Sequence, residues 1–135
     1  MEHVGVAVAN LTASIQAYEN VFGYRVLSGP FDDPIQRVRV CFLGNGSAGE
    51  LAIELIEPLG SDSPVTRLLA KGGGAYHVCY NVANLDQALE EIRAKGCLVV
   101  AAPAPAVAYG GRRIAWFFTP DRQLVELVER APSIE

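Results

Sequence analysis

Two histidines and two glutamates hold repeated places in this sequence and are the residues best suited to chemistry. His3 and His77 each begin a stretch that reads His-Val and then Val-Ala-Asn-Leu, and Glu54 and Glu126 each lie inside an aliphatic run. A carboxylate in such a run is costly to bury unless it is paired, protonated or bound to a cation. Because neutral imidazole and carboxylate bind Zn, Mn, Fe, Co and Ni alike, the four residues predict a divalent-metal site.

The spacing of these residues indicates a duplicated module. The histidines are 77 − 3 = 74 residues apart and the glutamates are 126 − 54 = 72 residues apart. Offsets that agree within two residues predict two copies that differ by a short loop. We therefore interpret residues 1–135 as a single domain made of module one (1–59), a linker helix (60–74) and module two (75–131).

Each module is predicted to follow the order β-α-β-β-β, which gives an α+β fold. Alternation and turn residues indicate strands at 3–9, 24–29, 36–44 and 50–58, and again at 76–82, 97–102, 112–118 and 123–130. The first helix is capped by Asn10 or Thr12 and ends at Gly23. The second helix covers 85–95, and Ser63 caps the linker helix.

Strand alternation decides which way the four candidate ligands point. His3 is expected to share a face with Gly5 and Ala7, opposite the valines that meet the helix. Glu54 and Glu126 are each expected to point away from their aliphatic neighbours, and two-fold packing of the modules would then bring all four side chains together. The alternative is that each glutamate faces water on a half-exposed sheet.

Composition excludes several classes of partner. The formal net charge of -4 and the pI of about 5.2 argue against nucleic acid and anionic membrane. No apolar run approaches the length of a membrane span. The three cysteines form no Cys-x-x-Cys spacing and fit buried, reduced thiols. We expect a cytoplasmic protein.

Four stretches of the chain resemble the vicinal oxygen chelate (glyoxalase/bleomycin resistance/extradiol dioxygenase) superfamily, and within it most resemble the methylmalonyl-CoA epimerases. They are HVGVAVANL, ELIEPLGSDSPVTRLL, HVCYNVANLDQALEEIRAKG and GGRRIAWFFTP. The resemblance implies two βαβββ modules that form a half-barrel with a metal cleft. It also implies a divalent ion (Co, Mn, Ni, Zn or Mg) held by four ligands, namely His3, Glu54, His77 and Glu126.

The same resemblance implies an isomerase or epimerase that stabilises the enolate of a small carboxylated or thioester substrate, for example an acyl-CoA. Glu126 would transfer the proton. The similar epimerases carry a glutamate where this chain has Ile35, so the usual second base is expected to be missing. Arg113, rather than the neighbouring Arg112, and Tyr109 are expected to contact the substrate, and a homodimer is expected.

Two other functions stay open for the same fold. A glyoxalase I-like lyase would use a similar ligand set for metal-assisted proton transfer. A non-catalytic antibiotic-binding or resistance protein would use the cleft to hold a small molecule, commonly without metal. The metal ligands favour an enzyme over the second alternative.

Overall fold

The computed structural model describes residues 1–47 and 49–130 of the chain. It separates into two compact units. The N-terminal unit is His3–Tyr76, and the C-terminal unit is Met1–Glu2 together with the described chain from His77 onward. Residue 131, the predicted end of module two, lies outside the described residues. The predicted module boundaries stay a prediction, whereas the predicted α+β class is confirmed.

The elements follow one another as β1 His3–Ala7, α1 Leu11–Phe22, β2 Arg25–Asp33, β3 Val38–Gly44, β4 Ala52–Pro58, α2 Pro64–Ala70, β5 Gly74–Val82, α3 Leu85–Ala94, β6 Leu98–Pro105, β7 Arg113–Phe118 and β8 Leu124–Glu129. A short 3-10 helix, Val107–Tyr109, precedes β7. Among the described residues, no helix has the length and apolar character needed to cross a membrane.

The two units share one strand order. In the N-terminal unit the order is β2-β3-β4-β1, with β1 and β4 parallel and the other neighbours antiparallel. In the C-terminal unit it is β6-β7-β8-β5, with β5 and β8 parallel. The parallel pair in each unit therefore joins the strand that carries a histidine to the strand that carries a glutamate.

One face of each sheet packs on a helix. In the N-terminal unit, Leu11 of α1 is buried with Cys41, Leu43 and Leu55. The corresponding core of the C-terminal unit joins residues of α3, β7 and β8, namely Leu85, Leu89, Ala115, Phe117, Val125 and Leu127. Because strand residues alternate between faces, the opposite face of each sheet carries the candidate ligands.

Capping residues fix where the helices begin. The Asn10 side chain accepts the Ala13 amide at 3.0 Å, and the Asn84 side chain accepts the Gln87 amide at 3.0 Å. These bonds satisfy backbone donors that the first helical turn leaves unpaired. Asn10 rather than Thr12 is therefore the cap of α1, and Ser63 caps α2 as predicted.

The edge strands depart most from the predicted bounds. β2 continues to Asp33 and β6 to Pro105, beyond their predicted ends at residues 29 and 102. Both strands shift register against their neighbours, and such irregularities obscure the period-2 pattern from which strands are predicted. Phe22 at the end of α1 is 59% exposed, so the core contacts of this helix lie nearer its start.

Candidate metal centre

The N-terminal unit holds the first histidine–glutamate pair on two neighbouring parallel strands. Glu54 of β4 is in register with Gly5 of β1, two residues beyond His3, so the two side chains lie on one face. His3 Nε2 lies 3.0 Å from Glu54 Oε1, and the two side chains are only 0% and 7% exposed. The buried Glu54 carboxylate therefore has the His3 imidazole as a partner.

The C-terminal unit repeats this arrangement. Glu126 of β8 is in register with Cys79 of β5, which again lies two residues beyond the histidine, His77. His77 Nε2 lies 3.3 Å from Glu126 Oε1, and the two side chains are 0% and 4% exposed. The duplication of the sequence is thus also a duplication of side-chain geometry within each unit.

An aromatic ring accompanies each pair, and sequence reasoning missed it. Phe42 of β3 is in register with Glu54, and its ring meets the His3 ring edge-on at a centroid distance of 5.3 Å. Trp116 of β7 is in register with Glu126, and its ring meets His77 at 4.8 Å with an interplanar angle of 83°. The signal was present, because 116 − 42 = 74 is also the histidine offset.

The donor atoms of the two pairs suit a divalent cation. His3, Glu54, His77 and Glu126 are all buried, and each offers an imidazole nitrogen or a carboxylate oxygen that could serve as a metal ligand. Nitrogen and oxygen donors of this kind bind Zn, Mn, Fe, Co and Ni, whereas thiolates would favour softer ions. These four residues therefore fit the divalent metal ion that the sequence predicted.

Ile35 lies away from the face that carries Glu54. It sits in the turn between β2 and β3, its side chain is 55% exposed, and its amide donates to Asp33 Oδ1 at 3.0 Å. The β3 side chains on the face of Glu54 include Val38, Val40 and Phe42, which are in register with Pro58, Ile56 and Glu54. None of these three side chains can transfer a proton.

The two aspartates near this turn have structural roles. Asp33 accepts the amides of Ile35 and Gln36, as expected for a turn residue. The Arg39 guanidinium, whose Nε is 2.7 Å from Asp32 Oδ1, holds the pKa of the Asp32 carboxyl below its usual value. The FDDP stretch therefore forms a strand end and turn, which agrees with the simpler interpretation of its sequence.

Arg113, which is expected to contact the substrate, lies on the helix side of β7. It alternates with Trp116 and shares a face with Ala115 and Phe117 of the core. Its guanidinium lies 3.0 Å from both Glu129 and Asp86, and these hydrogen bonds raise the pKa of Arg113 above its usual value. Contact between Arg113 and a substrate stays a prediction.

Tyr109 ends the 3-10 helix before β7 and is buried. The Arg112 guanidinium lies over its ring at 5.2 Å, a cation–π contact, and Arg112 also donates to the carbonyl oxygens of Tyr109 and Glu129. These contacts hold the glycine loop at Gly110 and Gly111 against β8. Substrate contact by Tyr109 likewise stays a prediction.

The chain is similar to known proteins over most of its length. The chain is 32% identical over 131 residues to the ethylmalonyl-CoA/methylmalonyl-CoA epimerase of Cereibacter sphaeroides, covering 94% of this chain and 95% of that protein. A Streptomyces coelicolor methylmalonyl-CoA epimerase in complex with 2-nitronate-propionyl-CoA aligns with a TM-score of 0.81 and 31% identity, over 98% and 97% of the two chains. A lactoylglutathione lyase of Arabidopsis thaliana is 32% identical over 98% of this chain and 45% of its own length.

The family model of the Glyoxalase/Bleomycin resistance protein/Dioxygenase superfamily matches residues 2–116. Because its relatives include epimerases at 32% and 36% identity, the prediction of an enzyme is confirmed. Two βαβ-type units with equivalent histidine–glutamate pairs, together with this match, show that the chain belongs to the glyoxalase/bleomycin resistance/dioxygenase superfamily.

Proposed function

We propose that this chain is a divalent-metal-dependent isomerase of the epimerase type, acting on a small carboxylated acyl thioester such as an acyl-CoA. His3, Glu54, His77 and Glu126 would together hold one ion. The observation that carries the proposal is the equivalent, buried histidine–glutamate pair in each unit. The epimerase relatives support the substrate class, and the metal's identity stays open between Co, Mn, Ni, Zn and Mg.

The chemistry is proton transfer next to a carbonyl group. When bound, a divalent ion supplies Lewis-acid stabilisation of the negative charge that develops on a substrate oxygen as the α-proton leaves. Glu126, which is buried beside His77, would remove that proton. The Glu126 side chain is only 4% exposed, so little water reaches the carboxylate.

Full epimerisation also requires proton delivery to the opposite face of the α-carbon. The face of β3 that lies on the side of Glu54 carries Val38, Val40 and Phe42, and none of these is an acid or a base. We therefore expect efficient exchange of the α-proton with solvent and slower inversion of configuration. The effect of Ile35 on inversion stays a prediction, as do Arg113 and Tyr109 as substrate contacts, a homodimer and a cytoplasmic location.

Metal content tests the proposal first. Purified protein should contain or take up one equivalent of a divalent ion, and the double substitution His3→Ala/His77→Ala should abolish this uptake while the fold is retained. A metal-free wild type that instead binds an aromatic antibiotic would favour the non-catalytic binding protein.

Proton exchange tests the reaction. Metal-loaded protein should incorporate deuterium at the α-carbon of methylmalonyl-CoA in deuterated water, as measured by mass spectrometry. If metal-loaded protein gives no exchange, the acyl-CoA isomerase is excluded.

A second candidate, a glyoxalase I-like lyase, is favoured by the similarity to lactoylglutathione lyase and by the two glutamates of the proposed ligand set. It uses the same type of proton transfer on a hemithioacetal. Turnover of the hemithioacetal of methylglyoxal and glutathione, with no exchange on methylmalonyl-CoA, would select the lyase.

A further inference from the structure

We infer that Trp116 is a positioning residue of the candidate metal centre, whose ring holds the His77 imidazole in the orientation that metal binding needs. The inference rests on the proposed function, because it assumes that His77 is a ligand. It goes beyond that function by assigning a role to a half-buried aromatic residue of β7.

Trp116 neighbours both residues of the C-terminal pair. Its ring meets His77 at a centroid distance of 4.8 Å and nearly perpendicular to it. It is also in register with Glu126 on the neighbouring strand, so their side chains lie on the same face. One side chain therefore limits the freedom of both proposed ligands of this unit.

The imidazole needs such a constraint. The outer torsion of a histidine side chain is broad and roughly two-fold, so the backbone of β5 does not by itself fix the ring plane. Edge-to-face packing of aromatic rings has a preferred geometry and contributes stabilisation beyond the area that it buries. Groups that orient a ligand in this way commonly change metal affinity when they are removed.

The N-terminal unit provides an internal comparison. Phe42 holds the equivalent place, but its centroid is 5.3 Å from that of His3, and the His3–Glu54 pair is closer at 3.0 Å than the His77–Glu126 pair at 3.3 Å. The aromatic contact is thus closer in the unit where the histidine–glutamate distance is longer. We therefore expect metal affinity to depend more on Trp116 than on Phe42.

The test compares Co²⁺ binding by calorimetry in the wild type and in Trp116→Phe, Trp116→Ala, Phe42→Ala and Phe118→Ala. Trp116→Ala should weaken Co²⁺ binding about tenfold, and Trp116→Phe should restore it to within about twofold of the wild type. Phe42→Ala should have a smaller effect. Phe118→Ala is the matched control, because Phe118 lies on the same strand and face but in register with Leu124.

Each outcome discriminates. If Trp116→Ala and Phe118→Ala lower the melting temperature alike and leave Co²⁺ affinity unchanged, Trp116 is only a core residue and the inference is wrong. If Trp116→Ala does not fold, Trp116→Leu, which fills the space without an aromatic ring, should show the same loss of affinity. A wild type that binds no Co²⁺ would contradict the metal centre itself, which is a different result from equal binding by all variants.

Fluorescence gives a second readout that does not depend on activity. Trp116 is the one tryptophan of the chain, so emission excited at the red edge reports this residue alone. Co²⁺ bound by the neighbouring imidazole should quench that emission with the stoichiometry and midpoint found by calorimetry. Quenching that is absent while Co²⁺ binds would place the ion away from His77 and overturn the inference.

Discussion

At the scale of single residues, the two glutamates of the proposed centre are expected to differ in function although their geometry is equivalent. Each pairs with an imidazole through one carboxylate oxygen, at 3.0 Å for Glu54 and 3.3 Å for Glu126. An amide carbonyl oxygen can also bind a cation, so glutamine at position 54 is compatible with metal binding. Glu126 is the residue to which proton transfer is assigned.

Glu126→Gln should therefore lower the rate of α-proton exchange by about 10²- to 10⁴-fold, the range expected for loss of a general base. Glu54→Gln, the matched substitution in the other unit, should retain metal and most of the exchange activity. The measurement is deuterium incorporation by metal-saturated protein with metal content checked for each variant. Equal losses in both variants would contradict the division of roles.

At the scale of elements, Glu129 ties β7, β8 and α3 together. Its carboxylate accepts the Leu85 amide at the start of α3 and the Arg113 guanidinium, which also binds Asp86. The hydrogen bond from Arg113 lowers the pKa of the Glu129 carboxyl below its usual value. A carboxylate with a lowered pKa stabilises the folded state above its usual pKa, and this contribution is lost as the pH falls through the lowered value.

The melting temperature of Glu129→Gln should therefore be lower than that of the wild type near pH 7. This gap between the two melting temperatures should close below about pH 4. Circular dichroism melts across this range measure the gap. Glu57→Gln is the control from the other unit, where the longer 3.8 Å pair with Arg39 should give a smaller gap. A gap for Glu129→Gln that stays constant down to pH 3 would show that the ion pairs are not its cause.

The two asparagine caps provide a second test at this scale. Asn10→Ala and Asn84→Ala should each lower the free energy of unfolding by about 1 kcal/mol, because each removes the acceptor of a first-turn amide. Thr12→Ala, on an exposed residue of α1 that makes no capping bond, should change it by less than about 0.5 kcal/mol. Urea denaturation measures all three, and a larger effect of Thr12→Ala would contradict the assignment of the cap.

The sequence was sufficient for the elements and for the alternation of the ligand strands. His3 and Glu54 could be placed on one face because β1 and β4 keep a strict period of two. Alternation alone could not predict which face Arg113 lies on. The adjacent residues Arg112 and Arg113 point to opposite faces, and the position at which β7 begins determines which face each one takes. The partners Phe42 and Trp116 were missed because aromatic residues on strands are usually interpreted as core.

At the scale of the whole molecule, metal binding should be linked to stability. An ion that binds only the folded state stabilises it in proportion to the logarithm of its concentration over Kd, by about 2.7 kcal/mol at a hundredfold excess. Added Co²⁺ or Zn²⁺ should therefore raise the melting temperature of the wild type, and a chelator should reverse the shift. His3→Ala/His77→Ala should show no such shift, and an equal shift in this variant would place the ion elsewhere.

The sequence separation of the two parallel strands in each unit determines when, during folding, the histidine and the glutamate can meet. Within each unit the partners are far apart in sequence, 54 − 3 = 51 residues in one and 126 − 77 = 49 in the other. Closing loops of this length costs conformational entropy before any ligand atoms meet, so the nascent chain has no local chelate that could nucleate folding. A cation should therefore leave the refolding rate nearly unchanged and slow unfolding, as an interaction formed after the transition state does.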